Sequence, residues 1–298
     1  MPRKRLDLRP LPVIFYWSRA FGRRGLSLNG VCERVSIAYD KYRFIKAERA
    51  GAVLTLTMDN PPMNAAAFDL HDELSHIFYD VAQDDCSVVI LTGAGKAFSA
   101  GGDLHEMLGN TQDPSRQAAM MVRAPHIVHS LLALDVPVIA RVNGHAMGLG
   151  ATIALMSDVA IMNEDAKIGD PHVNVGLSAG DGGAIIWPLL IGYARARHHL
   201  LTGDPLTGRE AAEIGLIHRA VPLSELDEAV EAYAARLANG ATFAIRATKR
   251  SINMALRQQA AALVDAHAGI ETLTLSSADH REAIEAFLAK RAPAFKGR

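Results

Sequence analysis

Apolar and polar positions alternate with a period of two over Tyr42–Glu48 and again over Val53–Met58. Gly51 lies between them and Asn60-Pro61-Pro62 follows, which predicts a β-hairpin. The period then changes: Phe68, Leu70, Leu74, Ile77, Phe78 and Val81 recur at helical spacing and predict a helix over 66–81. The unbroken apolar run Val88–Leu91 predicts a buried strand. A turn at Gly93 and Gly95 comes next, then a short helix over 104–108 with Asp103 as its cap. A helix over 113–134 is expected to start at Asp113, with Pro114 at its first position. Strands at 138–141 and 159–162 bracket a helix over 148–157. From Ala184 onward the signal is almost wholly helical, over 184–190, 194–201, 209–214, 225–239, 241–267 and 278–290. Strands alternating with helices imply an α/β chain with right-handed crossovers. The division expected is an N-terminal extension over 1–38, an α/β core over 39–220 and a helical region over 221–298.

One unit occurs twice in this pattern. Val88–Leu91 leads into Lys96-Ala97-Phe98-Ser99-Ala100-Gly101-Gly102-Asp103-Leu104. Val136–Ala140 leads into Asn143-Gly144-His145-Ala146-Met147-Gly148-Leu149-Gly150 and an apolar helix. A strand that ends in a small-residue turn and opens a helix aims backbone N–H groups at one spot, which suits a developing negative charge. Two such turns can supply two amides to one oxygen.

These two stretches resemble the motifs of the enoyl-CoA hydratase/isomerase (crotonase) family, F-x-A-G-x-D and N-G-x-A-x-G-G-G, with Leu149 at the middle glycine of the second. The resemblance runs from about Tyr42 to the C-terminus. It includes Asp59–Ala65, Ala166–Pro171, Leu201–Gly203 and Ala289–Lys296. It implies a spiral of ββα turns followed by helices that pack at a trimer interface, giving a homotrimer or a dimer of trimers. It also implies an acyl-CoA substrate, with coenzyme A entering as part of the substrate and no separate cofactor. The amides of Gly102 and Leu149 match the family's oxyanion hole. Leucine costs little at this position if its φ is negative and is strained if φ is positive. The Ser99 and Ala100 carbonyls match the positions that receive the adenine amino group. Lys296 matches a CoA-phosphate contact, or is a solvated tail lysine. His145, beside the second turn, is a candidate substrate contact or a structural side chain. The helix over 113–134 would cover the acyl chain, its Met120-Met121 pair adapting to the acyl group or simply packing in the core.

The hydratases of this family carry two glutamates, whose positions fall here on Thr152 and His172. A threonine hydroxyl is no general base near neutral pH, so two-glutamate water addition is not supported. His172 and Asp181, nine residues apart, remain as an acid/base pair. Asp181 matches a position used by catalytic aspartates in some branches, and the spacing resembles the branch that hydrolyses cyclic β-diketones. The plainer alternatives are a helix N-cap for Asp181 and a polar loop residue for His172. Glu106 faces the pocket or the solvent. The leading expectation is hydration or isomerisation of an enoyl-CoA through a thioester enolate. The alternatives are a β-diketone C–C hydrolase and a non-catalytic acyl-CoA binder.

Composition narrows the remaining classes. The 298 residues are 49% hydrophobic and 21% charged, with a formal net charge of −1, which gives no nucleic-acid signal for the whole molecule. The helix over 113–134 has only Arg116 and Arg123 as basic residues, which argues against an RNA-binding face. Residues 1–38 differ, holding eight Lys/Arg against two Asp/Glu; they read as a disordered extension, a transit peptide or a start placed too early. Two cysteines, Cys32 and Cys86, suit a reducing compartment, and the expected location is cytoplasmic. No apolar run is long enough to span a bilayer. No Cys/His cluster points to a metal; His198-His199 are adjacent and face different ways on a helix, while His126 and His129 are a common surface spacing.

Overall fold

The computed structural model describes residues 37–110 and 113–298, so the basic extension lies outside the described residues except for its last two. In chain order the elements are β1 (Ile45–Ala50), β2 (Val53–Met58), α1 (Phe68–Val81), β3 (Val88–Gly93), β4 (Ala97–Ser99), α2 (Leu104–Asn110), α3 (Pro114–Ala133), β5 (Val138–Val142), β6 (His145–Met147), α4 (Leu149–Met156), β7 (Val159–Asn163), β8 (Lys167–Gly169), α5 (Gly183–Thr202), β9 (Leu206–Thr207), α6 (Gly208–Glu213), β10 (Arg219–Val221), α7 (Leu226–Ala238), α8 (Thr242–Leu275) and α9 (Ala278–Leu288). A six-stranded sheet has the order β1-β2-β3-β5-β7-β10, and a four-stranded sheet has the order β4-β6-β8-β9. Among the described residues only the β1–β2 hairpin and the β8–β9 pair are antiparallel. Strands β3, β5 and β7 of the larger sheet each turn a corner into a strand of the smaller one and then lead to a helix. This gives the units β3-β4-α2, β5-β6-α4 and β7-β8-α5, the ββα spiral expected from the motifs.

The strand period decides which layer each side chain joins. All six residues of β3 are buried, as a parallel strand covered on both faces requires. Val89 and Leu91 join the main core with the α1 side chains Leu74, Ile77 and Phe78, while Val88 and Ile90 face Leu226, Val230 and Ala234 of α7. α7 thus covers the other face of the larger sheet, and α3 packs between α1 and α8.

The corners allow no side chain where they meet. A Cβ on Gly144 would lie 2.0 Å from the Lys96 carbonyl oxygen. The loop after β2 fastens the first corner through Asn64, a buried non-glycine residue with φ 53°. Its side-chain amide donates to the carbonyls of Ala94 (2.8 Å) and Ala97 (2.9 Å), and its carbonyl accepts from the Ser99 hydroxyl at 2.7 Å. Three backbone carbonyls of irregular chain are satisfied in this way.

The helical predictions hold, with two differences. The expected helices over 184–190 and 194–201 run together as α5, broken only at Gly192 (φ 76°, ψ 158°). α8 does not stop near His267 but continues through Gly269 to Leu275, because packing against α3 and α5 outweighs one glycine's weak helix preference. The strands of the smaller sheet, two or three residues each, are too short for periodicity to reveal.

Gly144→Ala is expected to destabilise the fold by about 3 kcal/mol, because neither backbone at the corner can move aside. Gly269→Ala, at a position with nothing within 4 Å, is expected to stabilise it by about 0.5–1 kcal/mol. Urea denaturation of both variants checks the pair; a wild-type midpoint for Gly144→Ala would remove the corner as a packing constraint.

Candidate active site

Parallel pairing of β4 with β6 brings the two glycine turns side by side, with Ala97 opposite His145 and Ser99 beside Ala146. Gly101 (φ 82°) and Gly148 (φ 51°) supply the left-handed backbone that each turn needs. A Cβ on Gly101 would lie 2.7 Å from the Met147 carbonyl oxygen, so the turns touch through backbone alone. Leu149 is the first residue of α4 and is not among the positive-φ residues, so leucine at the family's glycine position carries no backbone strain. The Ala66 amide bonds the Gly101 carbonyl at 2.6 Å, leaving the next amide, that of Gly102, outside the bond. Among the described residues neither the Gly102 nor the Leu149 amide meets an acceptor. The Met107 thioether lies over Gly102, where a Cβ would come within 2.1 Å of its methyl.

The titratable groups gather beside the second turn. His172 opens a short 3-10 turn, His172–Val175, directly after β8, and a Cβ on Gly148 would lie 3.3 Å from its Cε1. Its Nδ1 bonds the Asp170 carboxylate, and its Nε2 lies 3.6 Å from Asp181 Oδ2 and 3.8 Å from Glu271 Oε1. Asp181 sits at the glycine-rich entrance to α5. Its Oδ1 accepts from the Thr152 hydroxyl at 3.0 Å and from the Gly183 amide at 3.4 Å, which leaves Oδ2 facing the imidazole. Thr152 lies one turn beyond Leu149 on α4, so the residue at the first glutamate position orients the aspartate.

These groups are buried: His172 is 8% exposed and Asp181 5%, so their charges interact through little water. Burial by itself pushes the His172 imidazole down, but the carboxylates of Asp170, Asp181 and Glu271 outweigh it and hold the imidazole well above its ordinary value. Burial pushes the Asp181 carboxyl up against the opposing pull of His172. Burial also pushes Glu271 up to about 8.

Glu271 is the residue that sequence reasoning missed. It lies in the part of α8 beyond the expected helix end. One signal was present: Ala260, Val264 and Ala268 form the buried stripe of α8, and Glu271 continues it three residues on. The approach is tight, since a Cβ on Gly180 would lie 2.6 Å from the Glu271 Cβ.

The other candidates fall elsewhere. Asp103 caps α2 by accepting from the Glu106 amide at 3.0 Å, and Glu106 in turn accepts from the Phe68 amide at 2.7 Å at the start of α1. Glu106 is thus a helix cap and not a pocket carboxylate. The Ser99 carbonyl lies against Gly150, whose Cβ would come within 2.7 Å of it, while the Ala100 carbonyl meets no donor among the described residues. His145 is exposed and accepts from the Lys167 amide at 3.0 Å. It lines a polar cavity of about 630 Å³ at the strand corners with Lys96, Arg141, Asp165 and Asp227, and that cavity does not include His172, Asp181 or Glu271. The Lys296 amide bonds Asp279 at 2.6 Å, and its exposed ammonium makes no ion pair among the described residues.

Three similarities bear on this geometry. A 1,2-epoxyphenylacetyl-CoA isomerase of Escherichia coli K12 is 34% identical over 259 residues, covering 86% of this chain and 99% of that protein. A crystal structure of an enoyl-CoA hydratase/isomerase from Mycobacterium paratuberculosis superposes with a TM-score of 0.78 at 31% identity, over 81% of this chain and 97% of that one. A beta-diketone hydrolase from the cyanobacterium Anabaena superposes with a TM-score of 0.74 at 31% identity, over 79% of this chain and 95% of that one. The family model described as enoyl-CoA hydratase/isomerase matches residues 48–298, and with the ββα spiral and the paired glycine turns already in place, the chain belongs to the enoyl-CoA hydratase/isomerase family.

Proposed function

We propose that this protein is an acyl-CoA enzyme that works through a thioester enolate, with His172 and Asp181 as the groups that move protons. The observation that carries the reading is the placement of two uncommitted amides, on Gly102 and Leu149, next to a buried imidazole–carboxylate pair. As the carbon next to the thioester loses a proton, negative charge moves to the carbonyl oxygen. Two preset donors in a site shielded from water then stabilise that charge, each by about 3–4 kcal/mol.

Asp181 Oδ2 takes the proton from the acyl chain. The carboxylates around His172 keep its imidazole charged, and it returns a proton to a different carbon, with Glu271 as a further proton store. One proton-moving centre suits double-bond isomerisation. Hydration uses the same enolate and additionally requires the pair to activate water. Coenzyme A enters as part of the substrate, and the Ala100 carbonyl is the better placed of the two candidate adenine contacts. Exposed Tyr193 and Leu201 on α5, Ile252 and Leu273 on α8, and Phe287 on α9 are consistent with burial in a homotrimer or a dimer of trimers. Among the described residues no helix is long and apolar enough to cross a membrane.

A second reading uses the same atoms. Thr152 and His172 hold the positions of the hydratases' two glutamates, with Asp181 and Glu271 beside them, and the similarity to a beta-diketone hydrolase favours cleavage of a cyclic 1,3-diketone without CoA. There the pair activates water, and the two amides hold the enolate released by carbon–carbon cleavage.

The deciding experiment offers the purified protein unsaturated acyl-CoA thioesters and, separately, a cyclic 1,3-diketone, each beside Asp181→Asn. Turnover of the thioesters that falls about 10²–10⁴-fold in the variant supports the acyl-CoA reading. Turnover of the diketone alone replaces it with the second. Leu149→Pro removes one amide at a first-helical position that tolerates proline, and is expected to lower kcat about 10²–10³-fold. Wild-type kcat in that variant would reject Leu149 as a donor.

The pH dependence carries a definite sign. Glu271 rises from 4.5 to about 8 on folding, so its protonated form stabilises the fold fully below pH 4.5, and that stability is lost as pH rises through about 8. His172 is also raised, so its contribution is present below about 6.5 and is lost as pH climbs through the folded value. Denaturation across pH 6–9 is expected to show falling stability on the alkaline side, with a shallower fall in Glu271→Gln. Equal slopes in the two proteins would remove Glu271 from the proton inventory.

A further inference from the structure

We infer that His280, in the first turn of α9, is a positioning residue for His172: by donating to the Val175 carbonyl it holds the short turn that carries the His172 imidazole. The inference rests on the reading of His172 as a proton-moving group and deepens it by naming what sets that imidazole in place.

The turn His172–Val175 runs from the end of β8 to Gly176, which takes the left-handed conformation at φ 69°. The Leu177 amide fixes its start by bonding the His172 carbonyl at 2.9 Å. Its end meets α9. His280 Nδ1 lies 2.6 Å from the Val175 carbonyl oxygen, which has no other donor among the described residues. A Cβ on Gly176 would lie 2.7 Å from the His280 backbone nitrogen and 2.8 Å from its Cα, so turn and helix touch with no side chain between them. The Ser277 hydroxyl secures the helix side of this contact by accepting from the His280 amide at 3.0 Å.

The protonation of His280 follows from its partner. A carbonyl only accepts, so Nδ1 carries the hydrogen. Burial pushes the His280 imidazole below its ordinary value against the pull of the Val175 bond, and the charge on His172 adds to the fall, so the ring is neutral near pH 7. Its Nε2 is then a bare lone pair, buried and without a partner among the described residues. The side chain is 0% exposed, and burying a ring with one unpaired nitrogen costs stability. Packing alone therefore favours an apolar residue here. What histidine supplies in its place is the Nδ1 donor.

That donor bears on the site through the backbone. His172 has Nδ1 on Asp170 and Nε2 facing Asp181 at 3.6 Å, and both contacts require its turn to stay where it is. Without the donor the Val175 carbonyl turns toward water and takes the His172 backbone with it. Misplacing an acid/base group by about 1 Å costs on the order of 100-fold in rate.

Asparagine and glutamine separate the donor from the rest of the ring, since the Asn amide nitrogen stands where Nδ1 does and the Gln one where Nε2 does. In the whole protein, labelled at its histidine imidazoles, the His172 resonance is assigned by its loss in His172→Gln and followed against pH by NMR. In His280→Asn it is expected to titrate as in the wild type. In His280→Gln and His280→Phe it is expected to titrate at lower pH, nearer an ordinary histidine, because the carboxylates of Asp170, Asp181 and Glu271 no longer face it as closely. On whichever substrate is turned over, His280→Gln is expected to lower kcat about 10–100-fold with KM changed less than about 3-fold, while His280→Asn keeps both. His280→Phe keeps the volume of the ring and serves where His280→Gln fails to fold. An unchanged His172 titration in folded His280→Gln or His280→Phe overturns the inference. Equal changes in His280→Asn and His280→Gln also overturn it, since the ring would then act by packing. The NMR measurement needs no substrate, so absence of turnover by the wild type counts against the acyl-CoA reading and leaves this inference to the His172 titration.

Discussion

The close approach of bare backbone at the corners between the two sheets is the constraint on which the rest of this structure depends. Gly144 against the Lys96 carbonyl, and Gly101 against the Met147 carbonyl, let successive turns of the spiral stack with no side chain between them. That spacing permits β4 and β6 to pair, and the pairing brings the two glycine turns together. Larger residues at these glycines would separate the turns. The same packing that builds the core therefore also positions the candidate site.

A second constraint is electrostatic. The site places one imidazole among three carboxylates with little water to screen them. Such a group of charges is stable only when protons or a cation offset it. The raised proton affinities of His172, Asp181 and Glu271 express one way of meeting that demand. Glu271, pushed up to about 8, can exchange a proton near neutral pH. Thr152 takes part without titrating: its hydroxyl holds Asp181 in the orientation that faces the imidazole. At a position where the hydratases carry a glutamate, Thr152 instead holds the carboxylate of Asp181.

Much of this was legible in the residues themselves. The long strands of the larger sheet and the helices showed through periodicity, because each presents one or two apolar faces over many residues. The glycine turns were legible because their composition is unusual and repeated. Asp103 could be recognised as a cap from its position alone. The strands of the smaller sheet could not be read, since three residues hold no measurable period. Glu106 could not be assigned either, because its partner, the Phe68 amide, is remote in the chain.

By itself, then, the sequence determined the alternation of strands and helices and the two glycine turns, while the spiral and the candidacy of Gly102, Leu149, His172 and Asp181 followed from the family resemblance that those motifs carry. These are local properties, carried by hydrophobic period, glycine placement and residue type. Only the tertiary structure decided that Leu149 adopts an unstrained backbone, that His145 faces a separate cavity, and that Glu271 belongs to the site. Each of these depends on contacts between segments distant in the chain. Glu271 is the plainest case: α8 runs past a glycine that by propensity ends helices, and it does so because packing on α3 and α5 outweighs that local preference.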